Sequence, residues 1–411
     1  MGPTCGATQT FQTACCIVGG GPAGMMLGLL LARAGIDVYV LEKHKDFLRD
    51  FRGDTVHPST LEVMSELGLL DEFLKRPHQE LRQFSGIVGG APFKIADLSH
   101  LPVRCKFVAL MPQWDFLDFL ASHARRYPNF HLLMQAEVTG LLHQNGVVAG
   151  VKAQTPNGPI AITANLVVGA DGRHSTVREA AALPLDEFGV PIDVLWMRLP
   201  KRPGDPNAVL GRIATGAIFV TIDRGDYWQC AFVISKGGAE SLRDRGIEAF
   251  RDVLARAAPD FADRVTALRD WDDIKLLTVV IDRLREWCRP GLLCIGDSAH
   301  AMSPIGGVGI NLAVQDAVAA ANILAGSLQR GSPGLHELRK VQKRREWPTR
   351  VIQRMQILIQ NQVMTRILQL QREPRPPMAL KLLDRVPFLR RIPARLIGMG
   401  VRPEHVRIEP A

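Results

Sequence analysis

Charge is absent from the start of this chain: Met1 to Ala32 contains neither an acid nor a base. Such a stretch could belong to a leader peptide or a membrane span. Neither is expected here, because no basic segment opens it and Gly19, Gly20, Gly21, Pro22, Gly24 and Gly28 interrupt its apolar run. Cysteine is sparse: seven residues, an odd number, with no CxxC pair. That excludes a disulfide framework and suits buried thiols in a reducing, cytoplasmic compartment. The eleven histidines include no HExxH and no Cys/His quartet, so no metal site is expected. Tyrosine is nearly missing, with only Tyr39, Tyr127 and Tyr227.

What is present is globular. Hydrophobic residues make up 46% and charged residues 22% of 411, enough for two or three packed units and against disorder. The net charge of +9 is unevenly placed. From His336 onward seventeen basic residues face six acidic ones, a net of +11, which leaves −2 for everything before it. No nucleic-acid-binding module accompanies this charge, so nucleic acid is not expected as a partner.

The uncharged stretch has a chemical reading. Ala14–Val18 predicts a buried parallel strand, and Gly19-Gly20-Gly21-Pro22-Ala23-Gly24 turns into a helix over Met25–Ala34. Val38–Leu41 predicts a second strand, ending on Glu42 and followed by Lys43. This is a βαβ unit with GxGxxG at Gly19, Gly21 and Gly24. Gly19 makes the tight turn, Gly21 admits a pyrophosphate to the backbone, and Gly24 lets helix and strand pack closely. The helix start offers free N–H groups and about half a positive charge to phosphates. Glu42 stands where ribose hydroxyls need an acceptor, and would repel a 2′-phosphate.

Two further strands end on acidic turns. Leu166–Val168 runs into Gly169-Ala170-Asp171-Gly172, and Leu292–Ile295 runs into Gly296-Asp297-Ser298-Ala299-His300. Ser303-Pro304-Ile305-Gly306-Gly307-Val308-Gly309-Ile310-Asn311 follows and opens a helix over about Ile310–Leu328. With GxGxxG first, Asp-Gly in the middle and Gly-Asp late, the chain resembles the class A flavoprotein monooxygenases. That is the family of p-hydroxybenzoate hydroxylase and the ubiquinone-pathway hydroxylases, and the resemblance spans about residues 14–330.

The resemblance implies an α/β fold. A Rossmann-like FAD/NAD(P)-binding domain would comprise residues 11–182 and 284–330, interrupted by an antiparallel β-sheet substrate domain at 183–283 and followed by a C-terminal helical tail at 331–411. It implies FAD held by Gly19, Gly21, Ala23, Gly24, Glu42 and Lys43, with Arg52 on the pyrophosphate, Gln113 on the cofactor and Val138 beside the adenine. Asp171 and Gly172 would serve FAD in the middle motif, and Asp297 would bind the ribitol chain. Gly307, Gly309, Ile310 and Asn311 would lie beneath the pyrimidine edge of the flavin, with the Pro304 carbonyl near its reacting edge. His300 would be a turn residue near the flavin.

It also implies the reaction. With no second glycine fingerprint, NADH or NADPH would dock transiently and reduce FAD. O2 would add at C4a, and the hydroperoxide would give one oxygen atom to an aromatic or quinone/quinolone-like substrate. Two other readings stay open: a halogenase or isoprenoid reductase on the same scaffold, whose WxWxIP and YxWxFPK motifs are absent here, and a catalytically silent flavin- or ligand-binding protein.

Between Leu183 and about Arg283, strands are expected at Val190–Leu199, Ala217–Ile222 and Tyr227–Ile234. Alternation puts Trp196 and Arg198 on one face and Tyr227, Gln229 and Ala231 on one face of theirs, making them candidates for the pocket wall with Pro304. Alternation does not say which face meets the flavin. With Tyr227 alone in this segment, a tyrosine relay that deprotonates a phenol is in doubt.

In the tail, Glu346–Leu370 predicts an amphipathic helix with a stripe of Val351, Met355, Leu358, Ile359, Val363 and Ile367. Phe388–Ile397 then mixes apolar and basic residues. The tail either packs on the body with its arginines solvated, or forms a membrane-surface or lipophilic-substrate lid that would make the enzyme peripheral to a bilayer. Monomer and homodimer both remain open.

Overall fold

A computed structural model describes residues 8–48, 55–205 and 210–411; Arg52 lies outside them. The later part of the uncharged stretch, from Ala14 on, lies at the centre of the first sheet. Its apolar end leaves no wet face, so it forms a strand covered on both sides. That strand, Gln9–Val18, pairs in parallel with Val38–Glu42 on one side and Gly158–Gly169 on the other. Phe130–Met134 and Leu292–Cys294 extend the sheet in parallel at either end. Cys288–Arg289 and the hairpin Glu137–Gln144/Val147–Thr155 add antiparallel strands, making eight in all. The glycine-opened helix, Pro22–Arg33, packs against the long helix Gly309–Arg330. That long helix is apolar enough to cross a membrane, yet it is buried in the core.

A second sheet of seven strands stands beside the first. Its order is Lys275–Leu277, Ile192–Pro200, Tyr227–Ser235, Ala217–Asp223, Leu210–Ala214, Gln83–Val88 and Ala91–Asp97. The three strands expected from alternation are there. The sheet is neither wholly inserted at 183–283 nor wholly antiparallel, however. Two strands come from residues 83–97, and Leu210–Ala214 runs parallel to Gln83–Val88. Pairing between segments so far apart leaves no mark on the local pattern of either.

The two faces of this sheet have different partners. Leu195, Met197, Leu199, Phe219, Trp228 and Phe232 pack under the helix Gly246–Ala257, whose Phe250 meets Phe232 edge-to-face at 5.7 Å. Val194, Ile218, Ala231 and Val233 pack on the opposite face, in a cluster that includes Ile305. Trp196 lies on this second face, together with Ile305 and the tail residues Met364, Ile367 and Leu368.

The tail departs from its expected stripe. Its helix is Leu335–Ile359, continued by a wide turn at Gln360–Met364 and a short helix at Thr365–Leu368. Leu358 is 61% exposed and Val363 45%, whereas Arg345, Thr349, Gln353, Gln356 and Gln360 are buried. The helix still buries Leu338, Val341 and Ile352 against apolar neighbours, but at Gln353 and Gln356 it rests on loop backbone. Loop N–H and C=O groups demand polar partners, so glutamines turn inward.

Phe250 is 1% exposed in the core beneath the outer face of the second sheet. Phe250→Ala should cost about 3–5 kcal/mol in chemical denaturation. A loss below about 1 kcal/mol would mean that the helix Gly246–Ala257 is not a structural support of that sheet.

Candidate active site

Three turns meet at the carboxyl ends of adjacent parallel strands, where open α/β sheets bind ligands. Gly19 has φ +105°, and a Cβ there would lie 2.3 Å from the Ala170 carbonyl oxygen. A Cβ on Gly24 would lie 2.0 Å from Gly19 O. Gly21 is different: its nearest neighbour would be 4.0 Å away, so space opens before its backbone. The helix Pro22–Arg33 begins with no side-chain cap and no acid in its first turn, leaving its positive end for an outside anion. Glu42 is buried at the neighbouring strand end, where its Oε2 accepts from Gly20 N and its Oε1 from His44 N, both at 3.0 Å. A glycine cradle, an uncapped helix and a pinned carboxylate fit the adenosine diphosphate half of FAD. Ala23 is buried inside the cradle and Lys43 is exposed beside Glu42. The strand end of Val38–Glu42 also receives Ala136 N, 2.9 Å from Glu42 O, which brings the buried Val138 alongside. Gln113 opens the helix Gln113–Ala124.

The second and third turns lock onto the first. Gly296 has φ +61°, and a Cβ there would lie 3.1 Å from Ala23 Cβ and 3.4 Å from Ala313 Cβ. Ser298 Oγ donates to Gly169 O at 2.6 Å. Asp297, next to these buried residues, is exposed. The Asp171 carboxylate accepts from Ser175 Oγ at 2.5 Å and Val177 N at 3.1 Å, so it builds its own turn next to Gly172. Burial raises its pKa, against the Ser175 and Val177 bonds. Arg178 ties the two acidic turns together through Arg173 O at 2.6 Å and Ser298 O at 3.4 Å. His300 is buried, and its Nε2 donates to Asp316 Oδ2 at 2.6 Å.

Beyond them lies the turn from Ser303 to Asn311. Gly306 and Gly307 adopt φ +79° and +63°, and the Pro304 carbonyl accepts from Gly307 N at 3.0 Å. Gly309 and Ile310 open the long helix. The Asn311 side chain is committed to protein: Nδ2 donates to Gly307 O and Thr55 O, and Oδ1 accepts from His57 N and Thr60 Oγ. Asn311 therefore staples this turn to residues 55–60.

Sequence reasoning missed the residues that brace the Pro304 turn. Gln356 Oε1 accepts from Ser303 N at 3.1 Å, while its Nε2 donates to Ser303 O and Ile305 O at 3.0 Å each. Gln353 Nε2 donates to Asp282 O and Ala301 O. The spacing of Thr349, Gln353, Gln356 and Gln360 along one helix face was their only signal. His57 was also missed. Its ring is buried, and Nδ1 donates to Ile397 O at 2.7 Å, linking this region to the tail helix Arg391–Met399.

On the second sheet, Trp196, Ile397 and Met399 pack onto one cluster with Ile222 and Ala394, and Trp196 also joins the cluster that holds Ile305. The Arg198 guanidinium lies over the Tyr227 ring at 4.9 Å. Gln229 is buried and accepts from Arg224 Nε at 2.9 Å. Arg198 pairs with Gln229 across the strands and Trp196 with Ala231, and Tyr227 lies two residues before Gln229, so all five candidate strand residues share one face.

A family model described as an FAD binding domain matches residues 12–355. The chain is 34% identical over 398 residues to the 6-methylpretetramide 4-monooxygenase of Streptomyces rimosus, covering 96% of this chain and 94% of that one. It is 27% identical over 341 residues to the dialkyldecalin synthase of Streptomyces rugosporus, covering 77% of this chain and 66% of that one. The crystal structure of p-nitrophenol 4-monooxygenase PnpA from Pseudomonas putida superposes with a TM-score of 0.76 at 20% identity, covering 96% of this chain and 100% of that one.

Burial holds His57 down to about 4, against an ordinary 6.5, and the bond to Ile397 opposes this only in part. The unfolded chain therefore binds a proton in this window that the folded one refuses. Wild-type stability, taken relative to His57→Asn, should be flat above pH 6.5 and fall by about 1.4 kcal/mol per pH unit below it, levelling near pH 4. Urea denaturation at stepped pH reads this; a difference that does not change with pH would mean the ring titrates as in water.

Proposed function

The chain belongs to the FAD-binding family of aromatic-ring monooxygenases, and on that basis we propose which residues hold its cofactor and what substrate it takes. It is an FAD-dependent hydroxylase that uses NAD(P)H and O2 on an aromatic small molecule. When bound, FAD supplies the redox chemistry: it accepts electrons from the nicotinamide and passes them to O2. The protein binds, aims and keeps dry. Ala23 and Gly24 N–H groups at the start of their helix receive the pyrophosphate, Glu42 accepts ribose hydroxyls, and exposed Asp297 takes the ribitol hydroxyls. The uncapped start of Gly309–Arg330 stabilises negative charge at the pyrimidine edge. Gln356 and Asn311 keep the Pro304 turn in place.

The observation that carries the substrate reading is the inner face of the second sheet, where Trp196 and Ile305 of the Pro304 turn pack against the same apolar cluster. That wall is apolar and suits a flat ring system. The Arg198–Tyr227 pair at its end offers a cation and a hydroxyl to orient a ring oxygen. A fused-ring phenol fits, and the 6-methylpretetramide named for the relative is the candidate to try. The purified protein should be yellow, be bleached anaerobically by NADH or NADPH, and place one labelled oxygen atom from heavy O2 into 6-methylpretetramide. Trp196→Ala should raise KM roughly tenfold with kcat little changed. No bound flavin would refute the reading; bound flavin with no oxygen transfer would place the chain beside the synthase relative instead.

The tail supports a further placement. Met378 is 80% exposed, Leu382 52%, Phe388 64% and Ile392 66%, on helices that also expose Lys381, Arg385, Arg391 and Arg395. An apolar face rimmed by cations matches an anionic bilayer surface. Six buried free thiols among the described residues suit the cytoplasmic side. The protein should sediment with phosphatidylglycerol vesicles at low salt but not with phosphatidylcholine ones, and Phe388→Glu/Ile392→Glu should abolish this. A dimer that the same variant splits, with no lipid binding, would give that face to a second copy.

A further inference from the structure

The family model ends at residue 355, yet a chain of buried ions runs from the Gly296-Asp297 turn to the C-terminal segment. Asp316, on the long helix, is fully buried. Its Oδ2 accepts from Gly296 N at 3.0 Å and from His300 Nε2 at 2.6 Å, one on each side of Asp297. Its Oδ1 accepts from Arg345 Nε at 2.9 Å. Arg345 is 1% exposed, and its Nη1 donates to Arg402 O at 3.1 Å and to Glu404 Oε1 at 3.3 Å. Glu404, 5% exposed, is held on its other side by Arg344 through bonds of 2.6 and 3.0 Å, and its backbone N–H donates to Gln315 Oε1. Two carboxylates and two guanidiniums thus balance inside the protein.

The four charges of this network hold one another in place, and removing any of them leaves a buried charge short of a partner. Asp316 can hold Gly296 and His300 only where Arg345 lets it sit, and Arg345 is fixed by Glu404. The segment carrying Glu404 is anchored independently: Val406 N donates to Glu66 Oε2 at 2.7 Å, Arg407 N to Asn322 Oδ1 at 2.9 Å, and Ala411 N to Arg33 O at 3.0 Å.

We propose that Glu404 and Arg345 are positioning residues for FAD, setting the Gly296-Asp297 turn through Asp316, so that cofactor affinity depends on the C-terminal segment. This rests on the FAD reading above. In the full-length protein, Glu404→Gln should raise the FAD dissociation constant, read by flavin fluorescence, roughly tenfold or more. It should also speed amide hydrogen exchange at Ile295–His300 in both the flavin-free and flavin-bound forms. Arg344→Gln, which loosens Glu404 from its wetter side, should do the same to a smaller degree and serves where the first variant fails to fold. Glu66→Gln removes the charge that holds His405 and Val406 without touching the ion chain and should change neither reading. Unchanged affinity and exchange in both relay variants would overturn the proposal, as would an equal loss in Glu66→Gln. If the wild type binds no FAD, the FAD reading fails, while exchange at Ile295–His300 in the flavin-free protein still decides whether the relay sets the turn.

Discussion

Close approach of backbone at three strand ends, to other backbone at Gly19 and Gly24 and to alanine methyls at Gly296, is the constraint on which this structure depends. Gly19 packs on the Ala170 carbonyl, Gly24 on Gly19, and Gly296 between Ala23 and Ala313. A Cβ at Gly19 or Gly24 would drive strand from strand or helix from sheet, because the atoms it meets are backbone and cannot swing aside. The same closeness aligns helix N-termini, the Glu42 carboxylate and Asp297 around one space. Packing and binding are therefore a single requirement here. The uncharged run from Ala14 to Ala32 reflects this, since it supplies most of that contact from within the core.

Around this apolar centre the protein uses buried polar groups as fasteners. Asn311, Gln353 and Gln356 each spend their side-chain amides on loop carbonyls and N–H groups. Asp316 and Arg345 do so with full charges. The loops near the flavin cannot be held by ordinary apolar packing, because they must stay irregular and partly open. Hydrogen bonds give direction as well as attachment, and direction is what a reacting edge needs. The tail, which looked like an appendage in the charge count, supplies much of this fastening.

The basic excess consequently divides in two. Arg345 is sealed within the protein and Arg344 partly so, both matched to Glu404, whereas Lys381, Arg385, Arg391 and Arg395 face outward beside exposed Phe388 and Ile392. Net charge alone could not separate the structural arginines from those available to a surface.

The three strand-end turns were legible in the sequence because each is local. A strand, a glycine turn and a following helix or acid lie within a few residues, and their spacing carries the geometry. The FAD chemistry followed from that order. The inner face of the second sheet was not legible, because alternation defines two faces without naming their partners; only packing against Ile305 and the tail helix decided it. The strands at 83–97, the inward glutamines and the Glu404–Arg345–Asp316 chain were hidden for a related reason. Each is chosen by a partner distant in the chain, and a residue whose role is to satisfy distant backbone or a distant charge looks, by itself, like any polar residue on a surface. The sequence by itself determined the three strand-end turns and the reaction class, whereas the tertiary structure decided which face of the second sheet meets the Pro304 turn and what holds the turns still.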